Sequence, residues 1–390
     1  MRFASLVDRV AGEGAEAWKI HDAARRALDD GEDILMLSVG DPDFPTPEPI
    51  SAAAIAALKS GDTHYTGVSG RRGLRRRIAE FMAQEVGQPY TEDNVIVLAG
   101  AQCALFSSIQ CLAEAGDEVI ILDPAYVTYE ALVRATGATL VRVAQPPDTG
   151  FRPDVSAIKA AITPRTRAII MTNPNNPTGV VMTRPELEGI ASLAREHNLW
   201  VVSDEVYGDL VFEGQHLPIA ALPGMAERTV TVSSLSKSHA MTGWRVGWAV
   251  GPSELIAHLG NLALAMLYGL PGFIQAGAEM AFEDDVKVVD PMRETYRQRR
   301  NVAMDALSGI PGLRFEKPQA GMFLMVDIRA LGIEPSEFAW GLFNAKGVSV
   351  LDAAPFGACA KGHIRLSFTL DETQTTEACR RIADYVRNLA

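Results

Sequence analysis

The feature that most constrains the fold is a series of short apolar, β-branched segments in the central part of the chain. From residue 94 onward these are NVIVLAG, DEVIILD, ATLVRVA, RAIIMTN, LWVVSDE and TVTVSSLS. Helical segments separate several of them, including residues 102–113 and 184–197. Apolar strands that alternate with helices are typical of a mostly parallel sheet covered on both faces. The central segment is therefore predicted to be an α/β domain.

The two ends of the chain predict a second, smaller α+β unit. Residues 15–30 have a helical pattern, and ILMLSVG at residues 34–40 is predicted as a strand. A charged helix is predicted to begin near residue 285, and GMFLMVDI, VSVLDA, HIRLSF and a last helix follow it. We predict a large domain at 46–285 and a small domain that joins 1–45 with 286–390, where the N-terminal helix also packs.

Composition narrows the class of protein. The 390 residues carry a net charge of −12, which argues against general binding to nucleic acid or to anionic membranes. The uncharged run at residues 256–278 contains His258, Pro271 and several glycines, so it is predicted as a buried helix and loop rather than a membrane span. The N-terminus has no signal-peptide core, and the four scattered cysteines form no C-x-x-C pair. These features predict a reduced, cytoplasmic protein.

Several common catalytic patterns are absent from the sequence. It contains no G-x-x-x-x-G-K-[ST], H-E-x-x-H, G-x-S-x-G or G-x-G-x-x-G segment. Asp204, Glu205 and Asp209 form an acidic cluster, but we expect no histidine partner that would complete a metal site. No metal is therefore predicted.

Five chemically active segments each follow a predicted strand. They are GAQ at 100–102, Tyr126, NPNNPTG at 173–179, SDEVY at 203–207 and SLSKSHAMTGWRVGW at 234–248. In open α/β sheets, ligands bind at the carboxyl ends of strands. These segments are therefore expected to converge on one pocket.

Lys237 and Arg245 indicate the chemistry of this pocket. A lysine among small and apolar residues has a lowered pKa, and its neutral amine can form a Schiff base with an aldehyde. Arg245 lies in a tight turn, and its planar guanidinium suits a phosphate dianion. An aldehyde and a phosphate together point to pyridoxal 5′-phosphate (PLP), although either cation taken alone is more often a surface residue.

The other candidates each have a functional and a structural interpretation. Asp204 can pair with a protonated pyridine nitrogen or cap a helix. Tyr207 and the asparagines of NPNNPTG can hold a phenolate oxygen or serve in turns. The backbone of residues 100–102 can bind phosphate at a helix N-terminus or form an ordinary turn. Tyr126 can stack on a flat ring or pack, and Arg365 can bind a carboxylate or form a surface ion pair.

Together these motifs resemble those of the class I/II PLP-dependent aminotransferases of fold type I. The segments SLSK, AMTGWRVG, NPNNPTG and GDPDFPTP carry the resemblance, which extends from about residue 15 to the last helix. It implies a large domain with a mostly parallel central sheet, a smaller α+β domain, and a homodimer with active sites at the subunit interface.

The resemblance also implies a role for each candidate. Lys237 forms the Schiff base and moves a proton between the substrate Cα and cofactor C4′, Asp204 faces the pyridinium nitrogen, and Tyr126 stacks on the ring. The remaining implied contacts are Asn176 and Tyr207 to the phenolate oxygen; Ser234, Arg245, Gly100, Ala101 and Gln102 to the phosphate; Tyr65 to the partner subunit's phosphate; and Arg365, with Gly40 and Asn176 nearby, to the substrate α-carboxylate.

Within the family, LAGAQCAL, YVTYEA, NLALAMLYG and GMFLMVDIR look very similar to transaminases that act on arginine and pyruvate. This implies amino transfer from L-arginine, or a related guanidino amino acid, to pyruvate in two ping-pong half-reactions. Glu16, Trp18 and Tyr268 of the partner subunit are the candidates that surround the cationic side chain. The alternatives are an aspartate- or aromatic-type aminotransferase, a PLP-dependent lyase or oxidase, and a non-catalytic regulator.

Overall fold

The computed structural model describes residues 1–12, 18–283 and 286–389. Within these ranges the α-helices are α1 (Leu6–Val10), α2 (Lys19–Asp29), α3 (Glu48–Lys59), α4 (Arg72–Val86), α5 (Gly100–Leu112), α6 (Tyr129–Thr136), α7 (Val155–Ala161), α8 (Arg184–Glu196), α9 (Leu235–Ser238), α10 (Ser253–Met266), α11 (Gly272–Met280), α12 (Val289–Leu307), α13 (Pro335–Lys346) and α14 (Glu372–Arg387). The strands are β1 (Leu35–Met36), β2 (Val95–Leu98), β3 (Glu118–Asp123), β4 (Thr139–Ala144), β5 (Thr166–Thr172), β6 (Trp200–Asp204), β7 (Thr229–Ser234), β8 (Gly247–Val250), β9 (Phe323–Asp327), β10 (Val348–Ser349), β11 (Leu351–Asp352) and β12 (His363–Ser367).

Seven strands form the central sheet in the order β2-β8-β7-β6-β5-β3-β4. The neighbouring pairs from β7 to β4 are parallel, whereas β8 runs antiparallel to both β2 and β7. The prediction of a mostly parallel sheet is confirmed. The antiparallel β8 arises because the chain between β7 and β8 stays at the carboxyl edge of the sheet and makes no crossover, so the next strand returns in the opposite direction.

Apolar side chains cover both faces of the central sheet. Leu105 of α5 and Leu259 of α10 belong to a buried cluster on one face. Leu187 and Ile190 of α8 belong to a cluster on the other face. Burying one such side chain contributes about 1.5–3 kcal/mol relative to leaving it in water. This double cover explains why the central strands are apolar throughout and do not alternate with polar residues.

The C-terminal part forms a smaller unit around a second core. Strands β11, β12 and β9 make an antiparallel sheet, and β1 pairs in parallel with β10. Ile20 of α2 lies in the same apolar cluster as Phe338 of α13 and Ile382 of α14. The N-terminal helix therefore packs against the C-terminal elements. The division into domains at residues 46 and 285 stays a prediction, and residue 285 itself lies outside the described residues.

Several element boundaries differ from the sequence prediction. The strand expected over 34–40 is only Leu35–Met36, because its partner β10 is itself only two residues long. The charged helix expected from residue 285 begins at Val289 and extends to Leu307. The uncharged run at 256–278 is divided between α10 and α11. Over the described residues, no helix combines the length and apolar character needed to cross a membrane.

Candidate active site

A cavity of about 210 Å³ lies at the carboxyl ends of the central parallel strands. Thr172, Asp204 and Ser234, the last residues of β5, β6 and β7, line it. The predicted candidates that also line it are Trp18, Gly40, Ala101, Gln102, Tyr126, Asn176, Tyr207, Lys237, Arg245 and Arg365. The structure thus brings most of the predicted residues together at one edge of the sheet.

Lys237 supplies the amine of this cavity. It lies on the short helix α9, directly after β7, and its Nζ donates a hydrogen bond to the carbonyl oxygen of Gly40 at 2.6 Å. Burial lowers the pKa of Lys237 to about 8, and although Asp41 opposes this shift, the positive charges of Arg365 and Arg245 add to it. Within the described part of the chain, Lys237 forms no ion pair with a carboxylate. A substantial fraction of this amine is therefore neutral and nucleophilic near neutral pH.

Asp204 supplies a buried carboxylate to the same cavity. Only 5% of the residue is exposed. The Tyr129 hydroxyl donates to its Oδ2 at 2.7 Å, and the Val206 amide donates to its Oδ1 at 3.3 Å. Burial raises the pKa of Asp204 to about 6, while the two hydrogen bonds act in the opposite direction. A cation placed opposite this carboxylate would favour its ionised form.

An anion site is built around the N-terminus of α5. Its backbone amides are free of helical partners and carry the positive end of the helix dipole. The Arg245 guanidinium lies against Gly100, where an added Cβ would be 2.4 Å from Nη2. Arg245 has a left-handed backbone with φ of 55° and donates through Nη1 to the carbonyl oxygen of Thr242 at 2.8 Å. The missing side chain at Gly100 thus lets the guanidinium sit beside the amides of α5.

Arg365 is a buried cation on β12 without a carboxylate partner among the described residues. Its Nη1 donates to Asn176 Oδ1 at 3.0 Å and its Nη2 to the Ser38 carbonyl oxygen at 3.1 Å. Its Nε is buried without a hydrogen-bond partner. Burial lowers the pKa of Arg365 to about 10, which still leaves it charged at neutral pH. The N–H groups of Arg365 that have no partner can donate hydrogen bonds to a carboxylate.

Two tyrosines complete the walls. Burial raises the pKa of both Tyr126 and Tyr207, so both hydroxyls are protonated at neutral pH and can act as donors. Tyr207 follows β6 in a turn and packs edge-on against Phe323 with ring centroids 6.2 Å apart. Asn176 lies near the Tyr207 hydroxyl and acts on the pKa of Tyr207 in the direction opposite to burial. The cavity therefore combines a flat aromatic wall with several polar groups that a planar ring could bind.

Among the described residues, the predicted Gly100, Tyr65 and Tyr268 do not line this cavity, although Gly100 lies directly against Arg245, which does. Glu16 lies outside the described residues. Tyr65 and Tyr268 are 85% and 53% exposed, and their rings pack against each other with centroids 4.8 Å apart. Within one chain, Tyr65 and Tyr268 lie away from the Lys237 cavity. Their contact with the active site of a partner subunit stays a prediction.

A second cavity, of about 380 Å³, lies behind the first. Residues that are neighbours in the sequence line different cavities. Asp204 and Lys237 line the first cavity, whereas Glu205 and Ser238 line the second. The expectation that the acidic cluster has no histidine partner is wrong, because His216 Nε2 lies 3.0 Å from Glu205 Oε2. The described residues nevertheless contain no group of three or more side chains placed to bind a metal ion.

Two groups that support the site were not predicted from the sequence. The Tyr129 hydroxyl contacts both Asp204 and Thr172, at 2.7 and 2.5 Å. Phe323 and Phe356 stack on the Arg365 guanidinium. The segment YVTYEA shows two tyrosines, but no local pattern tells which one faces the aspartate 75 positions away. These contacts depend on long-range packing that periodicity does not reveal.

Comparisons with known proteins agree with this geometry. Residues 32–382 match the family model of aminotransferase class I and II. Arginine–pyruvate transaminase AruH of Pseudomonas aeruginosa is 52% identical over 98% of both chains. An aspartate/prephenate aminotransferase of Thermus thermophilus is 37% identical over 90% of this chain and 91% of its own. A solved structure of the T. thermophilus aspartate aminotransferase with maleate superimposes with a TM-score of 0.93 at 34% identity, covering 99% of this chain and 100% of that one. The chain belongs to the class I and II aminotransferases, a family of PLP-dependent enzymes, and is an aminotransferase of fold type I.

Proposed function

We propose that this enzyme transfers the α-amino group of L-arginine, or of a related guanidino amino acid, to pyruvate in two ping-pong half-reactions. The observation that carries this proposal is the 52% identity over nearly the full length to a transaminase named for arginine and pyruvate. The aspartate-type relatives are less similar, at 33–37% identity. The amino donor and the oxo-acid acceptor each carry a carboxylate beside the reacting carbon, so Arg365 would bind the substrate in both half-reactions.

The cavity fits PLP. Its amine has a lowered pKa, its carboxylate is buried, and the Arg245 guanidinium lies beside the free amides of α5 without a carboxylate partner in the described chain. We propose that Lys237 attaches the cofactor aldehyde, that Asp204 pairs with the ring nitrogen and that Tyr126 stacks on the ring. The other proposed holding residues are Asn176 and Tyr207 for the phenolate oxygen, and Ser234, Arg245, Gly100, Ala101, Gln102 and, in the partner subunit's site, Tyr65 for the phosphate.

When bound, PLP supplies an electron-withdrawing ring that stabilises the negative charge left when the substrate Cα loses its proton. The chain supplies the positioning and the proton transfer. Arg365 would fix the α-carboxylate, with Gly40 and Asn176 beside it, and so would place Cα near Lys237. The Lys237 amine would then move the Cα proton to C4′ of the cofactor, and in the second half-reaction it would move a proton from C4′ to Cα of the oxo acid. Tyr126 and the small domain would limit the access of water.

We further propose a homodimer with shared active sites and two domains divided near residues 46 and 285. The exposed pair Tyr65 and Tyr268 supports the first proposal, because two large aromatic rings at 85% and 53% exposure are unusual on a monomer surface. In the dimer, Trp18, the partner's Tyr268 and Glu16 would surround the guanidinium of the substrate. Glu16 would offer it a carboxylate and the two aromatic rings would offer their faces.

The substrate is tested by adding single amino acids to the PLP-loaded enzyme without any oxo acid. L-Arginine is expected to convert the cofactor absorbance to that of the aminated form, and subsequent pyruvate is expected to restore it with one alanine formed per site. A spectral response to aspartate or aromatic amino acids, with none to arginine, would overturn the proposal that arginine is the donor. Release of ammonia or peroxide without alanine would overturn the proposed reaction.

The lowered pKa of Lys237 predicts how the cofactor-free enzyme takes up PLP. Only the neutral amine attacks the aldehyde, and with a pKa of about 8 roughly a tenth of it is neutral at pH 7. The uptake rate should therefore rise about tenfold from pH 7 to pH 9 and level off above the pKa. Stopped-flow absorbance measures this rate. A rate that keeps rising without a plateau beyond pH 10 would show that burial does not lower this pKa.

Tyr129→Phe should make the ionised form of the Asp204 carboxylate less stable. Loss of the hydroxyl removes a hydrogen bond to a buried carboxylate, an interaction of about 1.5–3 kcal/mol, so the pKa of Asp204 should rise from about 6 by one to two units. Because only the ionised carboxylate pairs with a protonated ring, the acidic limb of the kcat/KM profile should move to higher pH. Activity near pH 9 should change least. An unshifted acidic limb in a well-folded variant would contradict this role of Tyr129.

A further inference from the structure

Arg365 is held by aromatic rings instead of a counter-ion. Its Cζ lies 3.9 Å from the centroid of the Phe323 ring and 4.7 Å from that of the Phe356 ring. The residue is only 1% exposed. A buried arginine is ordinarily paired with a carboxylate, because an unpaired charge in the interior is costly. In the described chain, the faces of two rings take that place.

The fold places both rings next to the guanidinium. On the antiparallel pair β12–β9, Phe323 is opposite Ser367 and Arg365 is opposite Met325, so Phe323 and Arg365 are diagonal neighbours on one face. Phe356 comes from the 3₁₀ turn Ala354–Phe356 that follows β11. Both rings are buried, at 5% and 1% exposure.

Phe323 is also fixed from another direction. A Cβ added to Gly40 would lie 2.4 Å from Cζ of the Phe323 ring, so the ring lies directly against the Gly40 backbone. The carbonyl oxygen of Gly40 accepts the hydrogen bond from Lys237. The Gly40 backbone and Arg365 both contact Phe323, and this packing restricts its movement.

A ring face attracts a cation but accepts no in-plane N–H bond, unlike a carboxylate. The rings therefore stabilise the charge of Arg365 and leave its N–H groups free. Asn176 Oδ1 accepts one hydrogen bond from Nη1, and the Ser38 carbonyl oxygen accepts one from Nη2. The Nε group has no hydrogen-bond partner. We propose that Phe323 and Phe356 are positioning residues that hold the Arg365 guanidinium flat and unpaired for the α-carboxylate of both the amino acid and the oxo acid. This inference rests on the proposed function of Arg365.

The test compares Phe323→Leu and Phe356→Leu with Phe338→Leu in the PLP-loaded enzyme. Phe338 is a buried phenylalanine of the core that contains Phe356, but it packs edge-on against Tyr385, and no arginine of the described chain lies over its ring. All three variants lose similar volume, and their thermal unfolding midpoints report the shared structural cost. The first two should raise KM for both the amino acid and pyruvate roughly tenfold with kcat within about twofold, and Phe338→Leu should leave KM unchanged.

Two probes separate carboxylate binding from general damage. The first is 5-guanidinopentanoate, which is arginine without its amino group, and the second is agmatine, which is arginine without its carboxylate. Calorimetry should show about tenfold weaker binding of the first to Phe323→Leu, with the binding of the second unchanged. When the parent enzyme binds both probes, equal weakening of both in Phe323→Leu, or weakening of neither, would overturn the proposal; when it does not bind them, the KM comparison decides.

The result is distinguishable from a failure of the proposed substrate. Every α-amino acid and every 2-oxo acid carries the same carboxylate, so the KM comparison is repeated with whichever donor the amino-acid panel identifies. If arginine is not a donor but the two leucine variants still raise KM for the true donor and for its oxo acid, the substrate is wrong and the positioning role stands. If kcat falls and KM does not change, the positioning role is wrong.

Discussion

Replacing Lys237 with alanine is expected to abolish multiple turnover. Among the described residues that line the cavity, Lys237 is the one lysine, and its Nζ donates a hydrogen bond to the Gly40 carbonyl oxygen in the cavity that Arg365 also lines. Loss of the amine would remove both the proposed attachment point of the cofactor and the proposed base for the Cα proton. General acid–base catalysis alone is worth about 10²–10⁴-fold, so kcat should fall by at least roughly 10³-fold.

Steady-state alanine formation from arginine and pyruvate measures this loss. Lys59→Ala is the matched control, because Lys59 ends α3 on the exposed surface and lines no cavity described above. Lys237→Ala should keep its fold, since removing a buried amine that has no carboxylate partner leaves no partner charge behind. Turnover within tenfold of the parent enzyme would contradict the assignment of Lys237.

Replacing Asp204 with asparagine is expected to give the second largest loss. Asparagine keeps the shape of the side chain and can still accept the Tyr129 hydrogen bond, but it carries no charge to pair with a protonated ring nitrogen. Breaking a buried charge pair costs about 3–5 kcal/mol, which corresponds to roughly a hundredfold to several thousandfold in kcat/KM. PLP should also dissociate more readily from the variant.

Asp209→Asn is the control for Asp204→Asn. It removes a nearby negative charge that lines the second cavity and not the first. The two variants therefore separate a specific pairing from a general change in the field. Equal effects of the two substitutions would show that Asp204 has no special position.

The sequence was sufficient to predict the fold class because the signal is strong and local. The β-branched apolar segments that give β2 to β7 are each long enough to be recognised alone, and the helices between them follow from periodicity. The antiparallel direction of β8 and the two-residue length of β1 could not be predicted, since each depends on which partner strand the tertiary fold supplies. Strand register of this kind is set by packing rather than by propensity.

The same distinction applies to the candidate site. Lys237, Asp204 and Arg245 could be selected because each combines a reactive side chain with the end of a predicted strand. Tyr129 and Phe323 could not be selected, because tyrosine and phenylalanine at such positions are most often core residues. Only the distances to Asp204 and Arg365, which join segments 75 and 42 positions apart in the sequence, show what they support. Supporting residues of this kind have no motif.

The lysine that holds PLP can be identified chemically. The PLP-loaded enzyme is treated with borohydride, which makes the link between aldehyde and amine permanent, and its peptides are then examined by mass spectrometry. We predict one phosphopyridoxyl group per chain, located on Lys237. A group on any other lysine, or a protein that binds no PLP, would contradict it.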